Sequence, residues 1–499
     1  MAILSPPAQL PDEAQPAEPQ QQPVKRQITL WLWPVLITLA ATMYKINEPV
    51  MGNDELATWE VARRSTGQIM ATLHNVDAVH GTYYLFMHGW MTVFGDSPTA
   101  MRTPSALAMA AAASLVALTG RRLFGARAGL CAGLLFAIVP AVSRFGQESR
   151  GYALVVLAAT LATLLLLRAL DAHRSAWRWG AYAACLACIG LLHLVALTIV
   201  AAHAVLVLAR ARYTEPRVLW SFVLAAFVGT ACVTPVIALG LSHDDRQLFW
   251  VPEPTLWSLL EIGPQIFASG LCAGAVFVLA VLARSERREG LLLCAALAVL
   301  PFLEIWIASQ GEVSYFRYQY ALFTLPAWAM LAGAGLASVT RSGGAAIAAL
   351  FLLALFALPD HEQMREQYEH DVPHRVDYES AAGTIAKYHL PGDAVVFGRG
   401  YAWMLGGGVR YYLPDDKKLR ETLVVPGAVR DDLYSMDCPD PAQCLGSEKR
   451  VWVVVEGRTP APLASIAAAQ AKVLRAEFKP AGSVQHTGVT VELHVRKPR

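Results

Sequence analysis

Long apolar runs alternate with short polar connections from residue 28 to residue 359. Runs of this kind match the roughly 20 residues that an α-helix needs to cross a bilayer. They predict spans over residues 28–45, 102–121, 127–143, 152–170, 177–193, 195–209, 218–240, 264–283, 290–308, 319–338 and 344–359, about eleven transmembrane helices in a polytopic α-helical membrane protein. An odd number puts the two ends of the chain on opposite sides. Tyr83 to Phe94 is apolar and aromatic but only about a dozen residues long, which suits a juxtamembrane or re-entrant helix on the outer side.

Lys and Arg gather in cytoplasmic loops, and here they fall in every second connection: Lys25-Arg26, Arg121-Arg122-Arg127, Arg174-Arg178, Arg210-Arg212-Arg217, Arg284-Arg287-Arg288 and Arg341. The intervening loops hold Asp54-Glu55, Gln147-Glu148-Ser149-Arg150, His243-Asp244-Asp245-Arg246 and Glu312 to Arg317. This parity predicts a multi-pass protein of the cell membrane with a cytoplasmic N-terminus and the unusual polar groups on the external face. Residues 1–27 are rich in Pro, Gln and Ala and read as a disordered cytoplasmic tail. With Lys25-Arg26 before it and no small-residue cleavage site after it, the first apolar run reads as a span and not as a cleaved signal. Residues 28–359 then form the membrane domain, with an external loop over residues 46–101.

After Pro359 the pattern changes. Helical periodicity (Ser380 to Tyr388, Leu463 to Leu474) alternates with short apolar runs at Ala394 to Phe397, Val451 to Val455 and Val489 to Val495. Residues 360–499 are therefore expected to form an external soluble α/β domain. Gly406-Gly407-Gly408 lacks the spacing of a phosphate loop and reads as a turn.

Composition agrees with the membrane assignment: 55% of the 499 residues are hydrophobic and 16% charged, against about 25% charged in soluble proteins. A formal net charge of +2 gives no basis for nucleic-acid binding. Cys131, Cys185, Cys188, Cys232, Cys272 and Cys294 sit in apolar runs, where cysteine packs as a small hydrophobe. Cys185 and Cys188 form a CxxC without the second pair that a structural zinc site needs. Cys438 and Cys444 flank a polar segment and suit a disulfide, which requires an oxidising compartment.

The candidate chemistry centres on Asn53-Asp54-Glu55-Leu56. A carboxylate in a cleft at the membrane surface can take the proton of an attacking hydroxyl as a general base. The alternative is that both acids serve a helix running Leu56 to Arg64, with Asn53 or Asp54 as its N-cap. Asp77 and His80 stand at the far end of the same loop, before Tyr83-Tyr84. Arg102 opens the next span, where a guanidinium can also simply snorkel. In Gln147-Glu148-Ser149-Arg150-Gly151-Tyr152, helical spacing pairs Gln147 with Arg150 and Glu148 with Tyr152, while Arg144 and Glu148 are spaced for a local ion pair. Ionisable groups at membrane depth usually line a cavity or a path. His193 and His203 suit buried packing as well as a site. Arg317, before Tyr318, has the fork that matches a phosphate.

The ordered series is what becomes recognisable: the Asp-Glu loop, Val93-Phe94-Gly95-Asp96-Ser97, Arg102-Thr103-Pro104-Ser105-Ala106-Leu107, Gly120-Arg121-Arg122-Leu123-Phe124-Gly125 and Gln147 to Leu154. Over roughly residues 28–340 it resembles the polyprenol-phosphate-sugar-dependent glycosyltransferases of the GT-C fold, family 39, the protein-mannosyltransferase and aminoarabinose-transferase group. The resemblance implies inverting transfer of a sugar, mannose being one candidate, from a polyprenyl-phosphate donor to a glycan, protein or lipid acceptor on the external face. It implies Asp54 as base with Glu55 its motif partner, Arg102, Arg150 and Arg317 at the donor phosphate, and Asp77, His80, Gln147, Glu148, Tyr152, His193 and Tyr318 around the substrates. No cofactor or metal is expected, because the phosphate is a good leaving group whose charge arginines can hold. One departure stands out: relatives carry His-Pro-Pro where this chain reads His80-Gly81-Thr82, losing a rigid turn. A transporter or flippase of a lipid-linked substrate is the rival reading, although the internal repeat common in transporters is not found.

Overall fold

Three of the apolar runs bend sharply in the computed structural model, which describes residues 24–211, 213, 215–242, 248, 250–368, 375–400, 402–425, 433 and 435–498. The predicted tail up to residue 23, Arg212 and the loop His243 to Arg246 lie outside the described residues. The chain enters by α1 (Val24–Met43). A loop follows, carrying α2 (Asn53–Ala62), α3 (Thr66–Asn75) and α4 (Gly81–Phe94). The membrane region continues through α5 (Pro98–Phe124), α6 (Ala126–Ile138), α7 (Pro140–Gly146), α8 (Tyr152–Asp171), α9 (Ala176–Leu192), α10 (Ile199–Ala211), α11 (Pro216–Ala231), α12 (Thr234–Leu241), α13 (Ser258–Phe267), α14 (Gly270–Val281), α15 (Arg288–Ala308), α16 (Leu325–Val339) and α17 (Gly343–Gln363).

Among the described residues six helices are long and apolar enough to cross a membrane, or nine if each bent pair is one span. Leu30–Met43 and α9 are shorter apolar helices. These lie where the apolar runs predict, except that α13 starts six residues before the run expected over 264–283, and three runs expected to be continuous are broken. The bends are 61° between α6 and α7, 53° between α11 and α12, and 106° between α13 and α14. Pro140 starts α7 and Pro235 lies in the first turn of α12, each removing a backbone donor that a continuous helix would use, whereas the third break falls at Ala268, which takes a left-handed backbone (φ 51°) before Ser269 caps α14. With 14 residues, α4 is about 21 Å long, short of the roughly 30 Å of a hydrocarbon core.

The arginine-rich connections meet one another at one end of the bundle. Arg122 donates to Leu167 O and pairs with Asp171, and Arg287 donates to Arg122 O. Arg127 reaches Thr340 O at 2.8 Å and Ser342 O at 2.7 Å, and Arg210 pairs with Glu289 at 2.7 Å. The acidic loop and Gln147 to Arg150 meet at the other end. Arg365, just past α17, joins this second group by donating to Ala41 O and Ser143 Oγ, both at 2.6 Å.

Beyond α17 a five-stranded sheet forms from β1 (Ala394–Phe397), β2 (Arg420–Glu421), β3 (Arg450–Glu456), β4 (Phe478–His486) and β5 (Val489–Arg496), in the order β2-β1-β3-β5-β4. β1 runs parallel to β2 and β3, while β5 is antiparallel to β3 and β4. Successive side chains take opposite faces. Trp452, Val454 and Val491 pack with Tyr378, Ala382 and Ile385 of α18 (Tyr378–Tyr388) and with Leu56 and Trp59 of α2. Val451, Val453 and Val455 pack on the other face with Leu474 and Phe478. The apolar runs mark β1, β3 and β5. They miss β2, which is two residues long, and β4, an edge strand whose side chains are mostly exposed. Cys438 and Cys444 are joined by a disulfide.

Gly406-Gly407-Gly408, expected as a turn, lies inside helix α19 (Leu405–Tyr412). Close packing explains the glycines: a Cβ on Gly406 would come within 3.0 Å of the Phe397 ring, and one on Gly407 within 2.6 Å of Met404.

Candidate active site

Helix α2 begins one residue earlier than the capping pattern predicts. Gly52 is its N-cap, and Asn53, expected as a cap, instead accepts a hydrogen bond from Met404 N at 3.1 Å. Asp54 and Glu55 therefore both fall in the first turn, where the helix dipole favours acids. Neighbours on a helix point about 100° apart, and the two acids meet different surroundings.

Glu55 faces inward, with its side chain 1% exposed. Its Oε1 accepts from Arg102 Nε at 2.8 Å and from Ser149 N at 2.9 Å, and its Oε2 from Arg102 Nη2 at 2.7 Å and Gly52 N at 3.2 Å. Arg102 is fully buried and spends its remaining N–H groups on Ile46 O (2.7 Å), Pro49 O (3.0 Å) and Val50 O (3.2 Å). A guanidinium has five N–H donors, and here each has a protein acceptor. Arg102, expected at a donor phosphate, has no donor to offer one in this arrangement. Gln147, expected at the substrate, is likewise buried and gives its amide to Thr42 O (3.0 Å) and Tyr44 O (2.7 Å), joining the loop after α7 to the end of α1.

Asp54 is the accessible member of the pair, with its side chain 38% exposed and its Oδ1 3.5 Å from Arg150 Nη2. Arg150 also donates to Tyr84 OH at 3.0 Å and Thr58 Oγ1 at 3.4 Å, while its buried Nε has no partner. Tyr84 OH in turn donates to Asp77 Oδ2 at 2.5 Å. The result is one chain, Asp54, Arg150, Tyr84 and Asp77, closing the two ends of the loop between α1 and α5 on each other. Asp77 takes a left-handed backbone (φ 56°) to begin the turn Ala78–His80, a conformation Asp tolerates better than most residues. Gly81, where the resemblance expects proline, lies against Leu73: a Cβ there would sit 2.6 Å from its Cδ1.

Residues 147–150 form turns between α7 and α8, so the helical pairings of Gln147 with Arg150 and Glu148 with Tyr152 do not occur. The pair spaced for Arg144 and Glu148 does form, at 2.7 Å. Burial pushes the Glu148 carboxyl above its usual range, against the pull of Arg144. Tyr152 packs edge-on to Phe145, and its ring lies 5.8 Å from His193. The His193 ring lies 4.6 Å from that of Tyr320, tilted by 60°, with Nδ1 unpartnered, and burial followed by the charge of Arg150 pushes it down to about 4. His80 is lowered by burial and then by Arg150 and His193, with Asp54 opposing. Both imidazoles are neutral at pH 7.

Arg317 lies 4.8 Å above the Trp250 ring and 5.8 Å from Tyr318, with its buried Nε unpartnered. Asp54, Asp77, Arg150 and Arg317 are all within electrostatic reach of the Tyr320 hydroxyl. Arg144, Glu148, Arg317 and Asp54 are within reach of Tyr318. The structure thus gathers Asp54, Asp77, His80, Glu148, Arg150, Tyr152, His193, Arg317 and Tyr318 around one region, and turns Glu55, Arg102 and Gln147 into its frame. His203 is buried in the bundle, bonded to Thr163 and Tyr182. Sequence reasoning missed the roles of Thr58, Tyr84 and Tyr320: the Tyr84 to Arg150 contact spans 66 positions and leaves no local signal. Among the described residues no three His, Cys, Asp or Glu side chains are grouped so as to hold a metal ion.

The resemblance read from the sequence holds, and the chain has the fold of the GT-C glycosyltransferases. Residues 82–238 match the family model described as dolichyl-phosphate-mannose-protein mannosyltransferase. The structure is similar to that of ArnT from Cupriavidus metallidurans bound to undecaprenyl phosphate, with a TM-score of 0.63, 14% sequence identity, and 94% of this chain and 98% of that chain covered. The apo state of the same ArnT gives a TM-score of 0.61 at 14% identity with the same coverage, 94% and 98%. An oligosaccharyltransferase from Archaeoglobus fulgidus gives 0.49 at 14% identity, covering 93% of this chain and 72% of that one. No curated protein matches the sequence.

Proposed function

We propose that this protein transfers a sugar from a polyprenyl-phosphate donor to an acceptor hydroxyl on the external face of the membrane, with Asp54 as general base. The observation that carries the reading is the division of labour within the acid pair. Glu55 is locked on Arg102, whereas Asp54 is exposed to the site and held near Arg150 at 3.5 Å. The neighbouring fold of an ArnT bound to undecaprenyl phosphate supports the class of donor.

In this mechanism an Asp54 oxygen takes the acceptor proton as the acceptor oxygen attacks the anomeric carbon. The bond from that carbon to the phosphate oxygen breaks, polyprenyl phosphate leaves with the electron pair, and the configuration inverts. Arg150 and Arg317 hold the phosphate, each through donors that include an unpartnered Nε. Arg102 is removed from that role and positions the loop instead. His80 and His193, neutral, add no charge next to Arg150, so the guanidinium keeps its attraction for the donor. Tyr152 and Tyr318 wall the sugar.

Purified protein reconstituted in liposomes and offered a panel of synthetic polyprenyl-phosphate sugars, mannose among them, should release polyprenyl phosphate with at least one of them in the presence of a membrane acceptor extract. Passage of intact donor across the bilayer without release would replace this reading with the transporter.

The external placement of the sheet is testable at its disulfide. Cys438 and Cys444 should take a membrane-impermeant maleimide on intact cells only after an impermeant reductant has opened the bridge. The described free cysteines lie in or beside membrane helices. Labelling that requires permeabilised cells would put the sheet in the cytoplasm.

A further inference from the structure

A cleft opens in the C-terminal sheet, away from the membrane site, at the carboxyl end of β1 and beside the segment that follows β3. From β1 the chain leaves towards β2 on one side, and from β3 towards β4 on the other. Ligands of open α/β sheets bind where strand connections part in this way. The cleft has two lobes, of about 250 and 400 Å³, which share Phe397, Arg399, Asp437 and Gln470. That is the size range of small-molecule sites.

Each guanidinium in it already faces a carboxylate. Arg399 Nη2 donates to Asp437 Oδ1 at 3.0 Å, and Gln470 Nε2 donates to the same oxygen at 3.2 Å. Asp437 Oδ2 has no partner among the described residues and remains an acceptor. Arg410 stands between Glu421, at 3.5 Å, and Glu60 of α2, at 3.4 Å, and its buried Nε is unpartnered. Phe397 and Trp403 supply apolar walls. An anion would find each guanidinium already neutralised. A pyranose would find flat apolar surface for its C–H face and, at its edge, carboxylate acceptors next to amide and guanidinium donors, which suit hydroxyls that both donate and accept.

We propose that this cleft binds a neutral carbohydrate, the glycan portion of the acceptor; the acceptor role rests on the transferase reading, whereas the binding does not. The wall of the cleft connects directly to the membrane site. Helix α19 packs its Leu405 and Val409 with Leu56 of α2, and Met404 N holds the side chain of Asn53, next to Asp54. A sugar seated there rests on the same elements that present the base.

The test uses the full chain in nanodiscs of deuterated lipid and the methyl α-pyranosides of glucose, mannose and galactose as probes, read by saturation-transfer NMR. Wild type and Asp54→Asn should transfer saturation to at least one hexoside to the same extent, without displacement by inorganic phosphate. Asp437→Asn and Gln470→Ala should each weaken that binding about tenfold, as expected for one lost hydrogen bond. No transfer to any of the three hexosides in wild type, undiminished transfer in both cleft variants, or displacement by phosphate would overturn the proposal. The transferase reading fails by another readout, absence of donor turnover in the wild type, so each can fall while the other stands.

Discussion

Asp54→Asn should lower sugar transfer by at least about 100-fold, the scale of a lost general base, with the thermal midpoint unchanged. The substitution is nearly isosteric. It can keep the 3.5 Å approach to Arg150, because the remaining amide oxygen still faces the guanidinium. The carboxylate is 38% exposed and stands at the end of the chain through Arg150, Tyr84 and Asp77, whose own hydrogen bonds remain in the variant, so folding has little to lose. What disappears is the capacity to take a proton. The loss should therefore fall on kcat, with little change in KM for the donor. Full activity in Asp54→Asn would sink the base assignment.

Arg102→Met should produce the opposite pattern, a large loss of stability. Removing the guanidinium leaves Glu55 buried at 1% exposure with an uncompensated charge, at a cost of about 3–5 kcal/mol. It also strips an acceptor's partner from each of the three carbonyls at Ile46, Pro49 and Val50. The double variant Arg102→Met, Glu55→Gln should recover part of the loss, since no buried charge is then left unpaired. Thermal midpoints in detergent for the two singles and the double measure this directly. An Arg102→Met protein that keeps the wild-type midpoint but loses donor binding would return Arg102 to the phosphate.

The membrane helices were legible because a bilayer imposes one length and one composition, and arginine parity needs no knowledge of packing. The breaks at Pro140 and Pro235 were visible as residues but not as bends, since proline is also tolerated in membrane helices whose freed carbonyls find other partners, and the break at Ala268 falls on a residue type that gives no local sign of it. In the site, the candidate residues were readable from their order, yet their roles were not. Whether an acid in the first turn of α2 points to solvent or to Arg102 depends on a partner 47 positions away. Gln147 looked like a substrate contact for the same reason: a buried amide bonded to the end of α1 and an amide aimed into a cleft have the same local sequence. The edge strand β4 escaped because Lys479, Pro480, Gly482 and Ser483 carry no apolar alternation, its pairing being supplied by β5.

The contact between α2 and the C-terminal sheet also decides what can be removed from this protein. Trp59 meets Tyr411 edge-on at 5.2 Å and donates to Asp96 at 2.9 Å, while Tyr411 donates to the Asp96 carbonyl at 3.0 Å. A chain ending after Gln363 would leave Leu56 and Trp59 without their covering helix and Asn53 without Met404. A stop codon that removes α19 (Leu405–Tyr412) therefore strips the cover from the helix that carries Asp54 as well as deleting the sheet, so the membrane region and the sheet should be exchanged or engineered as one unit.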